Sequence, residues 1–285
     1  MNISPHTKLV GLIGHPVEHS LSPKLHNALY EKYGLDYVYL AFDIAPDDIA
    51  RAVEALKTLS FRGFNVTIPH KERIIWFLDA LDTEAAIIGA VNTVKVENGK
   101  LIGYNTDGMG FVDSLKRRGI VLKDKVVLVL GAGGSARAIC VYLLKEGVRK
   151  LYIHNRTRER ASELIKHLER FFPGVCLNCI AQENIRDIHP DLVVNTTPLG
   201  MWPHTHIMPI EDYDFSPSMT VVDIIYNPVE TAFLRKARQA GSLTINGLDM
   251  LVGQAIKAID IWTGVKMDYD EAISILRNDK NKLLL

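Results

Sequence analysis

The segment KVVLVLGAGGSARAICVYLLKEG (residues 125–147) constrains the fold of this chain more than any other. An unbroken apolar run enters a glycine-rich turn, and an apolar helix pattern follows at once. A short, continuous apolar run suits a strand buried on both faces, as in parallel sheets covered by helices. Within Gly131-Ala132-Gly133-Gly134-Ser135-Ala136, Gly131 permits the tight turn and Gly133 lets backbone N–H groups approach a pyrophosphate. Gly134 and Ala136 are small enough for close helix–strand packing, and the helix N-terminus adds partial positive charge. The pattern is G-x-G-G-x-A rather than strict G-x-G-x-x-G, and such a turn can be purely structural. Its strand–turn–helix setting favours dinucleotide binding.

Strand and helix alternate through the rest of the chain. KLVGLIG, YVYLAFDI and FRGFNVTI read as strands, and APDDIARAVEALKTL reads as a helix. Ser22-Pro23 marks a helix start, with the Ser22 hydroxyl as N-cap, and Gly34 marks its end. VNTVKVENGKLIGYN reads as a hairpin turning at Asn98-Gly99. KLYIHNRTRERASELIKHLE repeats strand then helix; DLVVNTTPLGM, MTVVDIIYNP and LTING supply further strands, and a long helix runs from about Leu248 to Trp262. The expected class is α/β, with an N-terminal α/β domain and a C-terminal Rossmann-type doubly wound parallel sheet. At roughly 150 residues per domain, 285 residues suggest two domains. The expected boundaries are 1–106, completed by C-terminal helices over 248–285, and 107–247, with GMGFVDSLKRRG as the helix spanning the change.

The charges balance at 33 basic and 33 acidic side chains, so neither nucleic acid nor an acidic membrane is an expected partner. Any bound anion must be held by a local site. One candidate follows the second strand after the glycine turn, where Arg156, Arg158 and Arg160 crowd a helix start with Thr157 as expected N-cap. An NAD site usually carries an acid about 20 residues after the turn; here Asn155 stands 24 positions after Gly131, and Arg156 follows it. Basic runs are often solvated faces. Cations at a helix start oppose its dipole, however, and their position favours a ribose 2′-phosphate, hence NADP over NAD.

The three cysteines make no disulfide framework. Cys176 and Cys179 form a C-x-x-C inside an alternating strand-like run, and Cys140 stands alone in an apolar helix pattern, so neither a redox site nor a metal site is expected. The N-terminal residues lack a basic leader with an apolar core, and no apolar run approaches the ~20 residues that span a bilayer. A soluble, cytoplasmic protein is expected.

Doubly wound proteins bind ligands beyond the carboxyl ends of their strands. In the N-terminal half those ends carry HSLSP (19–23), NVTIPHK (65–71), Asn92-Thr93 and NTDGMG (105–110). A lone lysine is usually solvated, and Asn-Thr pairs usually cap or turn. Together they offer one cation and one carboxylate among neutral hydrogen-bonding groups, which suits a small polyhydroxylated substrate. His70 is set aside as a proton donor because consecutive residues seldom point into one site. His15, His19, His26, His204 and His206 read as loop or helix-surface residues, and Met201–Pro209 as a lid or a variable insert.

GHPVEHSLSPKLHN, GFNVTIPHK, GAVNT, NTDGMGF, GAGGSARA, NRTRERA, NTTPLGM and NGLDMLVGQA stand in an order and approximate spacing that resemble the shikimate dehydrogenase family, through to about Trp262. The resemblance implies reduction of 3-dehydroshikimate to shikimate with NADPH, in chorismate and aromatic amino-acid biosynthesis. It implies Lys71 and Asp107 as the catalytic pair, and Ser20 and Ser22 as holders of the substrate carboxylate. It places Asn65, Thr67, Asn92 and Gln254 on ring hydroxyls and Tyr226 along the pocket wall. It assigns Gly131, Ala132, Gly133, Gly134, Ser135, Asn155, Arg156, Thr157, Arg160, Gly247 and Met250 to NADP. No metal is implied, and the expected state is monomer or homodimer. One alternative is a quinate/shikimate dehydrogenase using NAD; Ser20, Ser22 and the arginine after the second cofactor strand speak against it. Another is a catalytically silent sensor of the same ligands, opposed by the presence of both Lys71 and Asp107.

Overall fold

Where the sequence alternates apolar runs with amphipathic segments, the computed structural model, which describes residues 3–277, forms strands and helices in turn. The first of two units runs to Gly110 and resumes at Leu251. It holds β1 (Lys8–Gly14), α1 (Ser22–Lys32), β2 (Tyr37–Asp43), α2 (Ile49–Thr58), β3 (Gly63–Val66), β4 (Ala80–Leu81), α3 (Thr83–Ile88), β5 (Thr93–Glu97), β6 (Lys100–Tyr104) and the start of α4 (Asp107–Lys116). Its sheet has the order β2-β1-β3-β5-β6-β4. β1 is parallel to β2 and β3, whereas β5 is antiparallel to both β3 and β6. The hairpin turns at Asn98 and Gly99, whose φ values of 51° and 75° are those a two-residue turn between twisted strands requires. Reversal of β5 brings its amino end beside the carboxyl ends of β1, β3 and β6, so the polar segments at those termini share one end of the sheet.

Two expectations for α1 are corrected. Its N-cap is Leu21, Ser22 already lies in the first turn, and no side chain caps the helix. Ser20 Oγ instead accepts from the Ser22 N–H at 3.2 Å. His26 is fully buried rather than on the helix surface, because Ser22, Leu25, His26, Leu29 and Tyr30 form the inward stripe of α1. Its ring stacks on Tyr39 with centroids 4.1 Å apart, and burial pushes its pKa down to about 3, which keeps the imidazole neutral.

The second unit, Phe111–Met250, holds β7 (Val126–Leu130), α5 (Gly134–Lys145), β8 (Lys150–His154), α6 (Arg158–Glu169), β9 (Cys176–Cys179), β10 (Leu192–Asn195), β11 (Thr220–Asp223), α7 (Ala232–Gln239) and β12 (Leu243–Ile245). Its sheet runs β12-β11-β10-β7-β8-β9, with every neighbouring pair parallel. This is the doubly wound order, with its switch point between β7 and β10. Leu128, Leu130, Val193 and Val221 from the sheet pack with Phe233, Leu234 and Ala237 of α7. Cys176 and Cys179 lie three apart along β9, so strand alternation points them to opposite faces. Burial pushes the Cys140 thiol up to about 12.

The chain returns to the first unit through α8 (Leu248–Thr263) and ends its described part with α9 (Tyr269–Arg277). Trp262 Nε1 donates to the Val94 carbonyl at 2.9 Å, and Gly63 lies against that indole, which a Cβ would strike. Tyr33 donates to Glu271 at 2.7 Å and joins α1 to α9. Among the described residues, no helix is long and apolar enough to cross a membrane.

Asp223, at the carboxyl end of β11, is fully buried. It accepts from Asn195 Nδ2 at 3.0 Å, the Ile225 N–H at 3.1 Å and the Thr231 hydroxyl at 2.8 Å. One carboxylate thereby ties the loops after β10 and β11 to the N-cap of α7. Burial pushes its pKa up to about 7, against the downward pull of those three donors. Between roughly pH 4 and 7 the folded chain holds a proton that an unfolded carboxyl has released. The contribution of Asp223 to stability therefore falls as pH rises through this window, by on the order of 2–4 kcal/mol. The thermal midpoint of Asp223→Asn, measured relative to the parent protein, is expected to rise between about pH 5.5 and 8.5. A midpoint difference that stays constant with pH would contradict this.

Candidate active site

In the first unit the register of three strands builds the site. Asn65 of β3 pairs with Thr93 of β5, and Thr93 pairs with Tyr104 of β6, which puts NVTIPHK, Asn92-Thr93 and NTDGMG side by side. Lys71 leaves the loop after β3, where its carbonyl accepts from the Val91 N–H at 2.8 Å. Asp107 opens α4, its N–H held by Asn105 Oδ1 at 3.0 Å. The two side chains meet with Lys71 Nζ 2.6 Å from Asp107 Oδ2, retaining 14% and 6% exposure.

The other carboxylate oxygen, Asp107 Oδ1, accepts from Asn92 Nδ2 at 2.8 Å. That nitrogen also donates to Thr106 Oγ1 at 2.9 Å and stands 3.5 Å from Gln254 Oε1. Asn92 Oδ1 is fixed as the acceptor by the Thr106 backbone N–H at 2.8 Å. Asn65 joins through Thr93, donating to its hydroxyl at 2.9 Å and to the Asn92 carbonyl at 3.1 Å. Lys71, Asp107, Asn92, Gln254 and Asn65 are thus brought into one bonded cluster. Thr67 lies beside it, half-buried, its N–H bonded to the Ile13 carbonyl and its methyl where a Cβ on Gly14 would fall. Ser20 is half-buried and Ser22 buried, together at the start of α1. His70 turns away from Lys71: its Nε2 lies 2.8 Å from the Ile44 carbonyl, and its Nδ1 is buried without a partner. Tyr39 and Thr106 also belong to the cluster although sequence reasoning did not single them out. Thr106 could have been found in NTD; Tyr39 reads locally as one more strand aromatic.

In the second unit the glycine turn sits at the sheet's switch point. Gly131 has φ of 112°, and a Cβ there would fall on Thr196 Oγ1, which donates to the Leu130 carbonyl at 2.7 Å. Only glycine meets both demands. Gly133 is the N-cap of α5 and offers no side chain to cap it, and a Cβ there would meet nothing within 4 Å. The space beside Gly133 at the start of α5 is therefore open, as an anion cradle needs. Ala132 and Ala136 are buried, the latter where close packing of α5 was expected.

Asn155 is half-buried and donates to the Thr157 carbonyl at 2.8 Å. Thr157 is the N-cap of α6 by position, but its hydroxyl makes no capping bond, which corrects the expected role. Arg156, Arg158 and Arg160 are exposed. Among the described residues, Arg156 and Arg158 have no acidic side chain within ion-pairing distance, and the first turn of α6 carries one acid, Glu159. Tyr226 is half-buried and Met250 buried. Gly247 donates its N–H to the Ile225 carbonyl at 2.9 Å and packs so tightly that a Cβ would strike the Ile224 carbonyl.

With this geometry established, likeness to known proteins covers nearly the whole chain. Residues 12–94 match the shikimate dehydrogenase substrate binding domain, residues 114–185 the shikimate/quinate 5-dehydrogenase family and residues 247–277 the shikimate 5′-dehydrogenase C-terminal domain. An NADP(+) shikimate dehydrogenase of Caldanaerobacter subterraneus subsp. tengcongensis is 45% identical over 98% of this chain and 100% of its own. A shikimate dehydrogenase solved in complex with NADP+ has a TM-score of 0.90 and 41% identity, covering 98% of this chain and 97% of that one. A shikimate 5-dehydrogenase from Thermus thermophilus, solved with NADP(H) and shikimate, has a TM-score of 0.85 and 36% identity, covering 95% and 99%. Ordered motifs, two matching sheets and full-length similarity lead to one conclusion: this chain belongs to the shikimate dehydrogenase family.

Proposed function

We propose that this chain catalyses the NADP-dependent interconversion of 3-dehydroshikimate and shikimate, with Lys71 and Asp107 as its catalytic residues. The observation that carries the proposal is the Lys71–Asp107 pair at 2.6 Å, set among neutral amides and hydroxyls, in a chain of this family. A small polyol acid needs a cation where charge develops and many neutral partners elsewhere, and this cluster supplies both.

The uncapped α5 N-terminus, the open space at Gly133 and the unpaired Arg156 fit NADP. When bound, NADP supplies or takes up the hydride. In the reductive direction negative charge develops on the substrate carbonyl oxygen; the Lys71 ammonium stabilises that charge and donates the proton. Asp107 orients Lys71 and accepts from the neighbouring hydroxyl. Ser20 and Ser22 hold the substrate carboxylate, and Asn65, Thr67, Asn92 and Gln254 bond ring hydroxyls, with Tyr226 along the wall. Backbone groups over Gly131, Ala132, Gly133, Gly134 and Ser135 hold the pyrophosphate. Asn155, Arg156, Thr157 and Arg160 would hold the 2′-phosphate, and Gly247 and Met250 would serve the nicotinamide end. On this reading the unit that runs to Gly110 and resumes at Leu251 binds the substrate and the unit Phe111–Met250 binds NADP, in a cytoplasmic monomer or homodimer without a nucleic-acid partner; of the expected C-terminal span 248–285, residues 278–285 lie outside the described residues.

Lys71→Ala is expected to lower kcat by about two to four orders of magnitude, as for loss of a general acid, with a much smaller change in KM. Steady-state kinetics in both substrates check this, and a change confined to KM would leave Lys71 a binding residue only. Arg156→Ala is expected to weaken NADP about tenfold or more while leaving NAD nearly unchanged, because only NADP carries the 2′-phosphate. Equal loss with both dinucleotides, measured by titration, would contradict the phosphate assignment.

A further inference from the structure

Tyr39 belongs to β2 and to none of the polar segments at the strand ends, yet it is fully buried and bonded into the site. Its hydroxyl donates to Asn65 Oδ1 at 2.8 Å. The Asn65 amide is fixed by the Asn92 carbonyl, an acceptor only, to which Nδ2 donates at 3.1 Å; that nitrogen also donates to the Thr93 hydroxyl at 2.9 Å, and Oδ1 is left to accept from Tyr39. Having accepted that bond, the Thr93 hydroxyl donates to Asn92 Oδ1 at 2.9 Å. Asn92 Nδ2 donates in turn to Asp107 Oδ1 at 2.8 Å. Five buried side chains thus form a chain in which every donor faces the same way, and its last acceptor is the carboxylate that holds Lys71. Bonds aligned in this sense polarise one another in a low-dielectric interior.

The chain is anchored firmly at Tyr39. The Asn27 side chain clamps the Tyr39 backbone from both sides, accepting from its N–H at 2.8 Å and donating to its carbonyl at 2.9 Å. The neutral His26 imidazole stacks on the Tyr39 ring. Asn27 and His26 belong to α1, the helix that opens at Ser22, so the segment assigned to the substrate carboxylate and the head of the chain are fixed to each other.

We infer that Tyr39 is a positioning residue for the Lys71–Asp107 pair, acting through Asn65, Thr93 and Asn92. This rests on the proposed activity and adds to it a residue that touches neither substrate nor cofactor. Tyr39→Phe keeps the ring and its stacking and removes only the first donor. For shikimate oxidation it is expected to lower kcat about three- to tenfold, the range of one lost hydrogen bond, with KM for NADP+ within about twofold. The pH profile of kcat should shift as well, and the same substitution in Asp107→Asn should change kcat by less than about twofold, since the chain then ends on no carboxylate.

An unchanged kcat and pH profile in Tyr39→Phe, or an equal loss in the Asp107→Asn background, would overturn the inference and leave the activity standing. No turnover of shikimate by the parent protein would overturn the activity instead. The inference then still meets its own test in the side-chain NH2 resonances of Asn92 in 15N-labelled protein. These should move in Tyr39→Phe and stay in place in Tyr33→Phe, whose hydroxyl bonds Glu271; Asn92 resonances that do not move would overturn it.

Discussion

The ion pair between Lys71 and Asp107 is the interaction around which the first unit is arranged. Both charges are largely removed from water, and such a pair is tolerable only when its remaining hydrogen-bonding capacity is met. Asp107 Oδ2 faces Lys71, and Oδ1 accepts from Asn92. The Asp107 N–H is taken by Asn105, and the Lys71 carbonyl by Val91. Each of these partners comes from a segment fixed by the β3–β5–β6 register. A slip of one residue in that register would turn Thr93 to the other face of the sheet and cut the chain that reaches Asp107.

Much of this is legible in the sequence because apolar runs end abruptly in polar residues that an ordinary surface loop does not need. NVTIPHK, Asn92-Thr93 and NTDGMG stand at strand ends, and the Asn98-Gly99 hairpin explains why all of them face one way. The glycine turn is legible for a different reason: φ of 112° at Gly131 and the contact with Thr196 leave no other residue possible. What stays hidden depends on pairing between distant segments. Tyr39 meets Asn65 because β1 lies between β2 and β3, an order that no local pattern announces. Residue type alone puts His26 on the surface, although its spacing from Leu25 and Leu29 already places it on the buried stripe of α1. Ser22 has the chemistry of a cap, but Pro23 follows it within a first turn that Leu21 opens. Asp223 reads as the end of one more strand, and only the fold brings Asn195 and Thr231 to it.

The overall charge balance of 33 to 33 has a simple physical counterpart. Nothing about the chain as a whole attracts anions, so the proposed anion-binding features are local. In the second unit the uncapped start of α5 and the arginines at the start of α6 stand at the carboxyl ends of the adjacent strands β7 and β8. In the first unit two serines stand at the start of α1, and the Lys71 ammonium is paired with Asp107 among amides and hydroxyls. The proposed recognition divides accordingly: exposed arginines where a phosphate is expected, and amides and hydroxyls around one buried ion pair where a hydroxylated ring is expected.

Initial rates with shikimate and quinate, each paired with NADP+ and NAD+ and followed at the nicotinamide absorbance, decide which substrate and cofactor this site serves. The Lys71–Asp107 site and the arginine cluster predict that shikimate with NADP+ has the highest kcat/KM of the four combinations. A preference for quinate with NAD+, or no turnover in any combination, would contradict it.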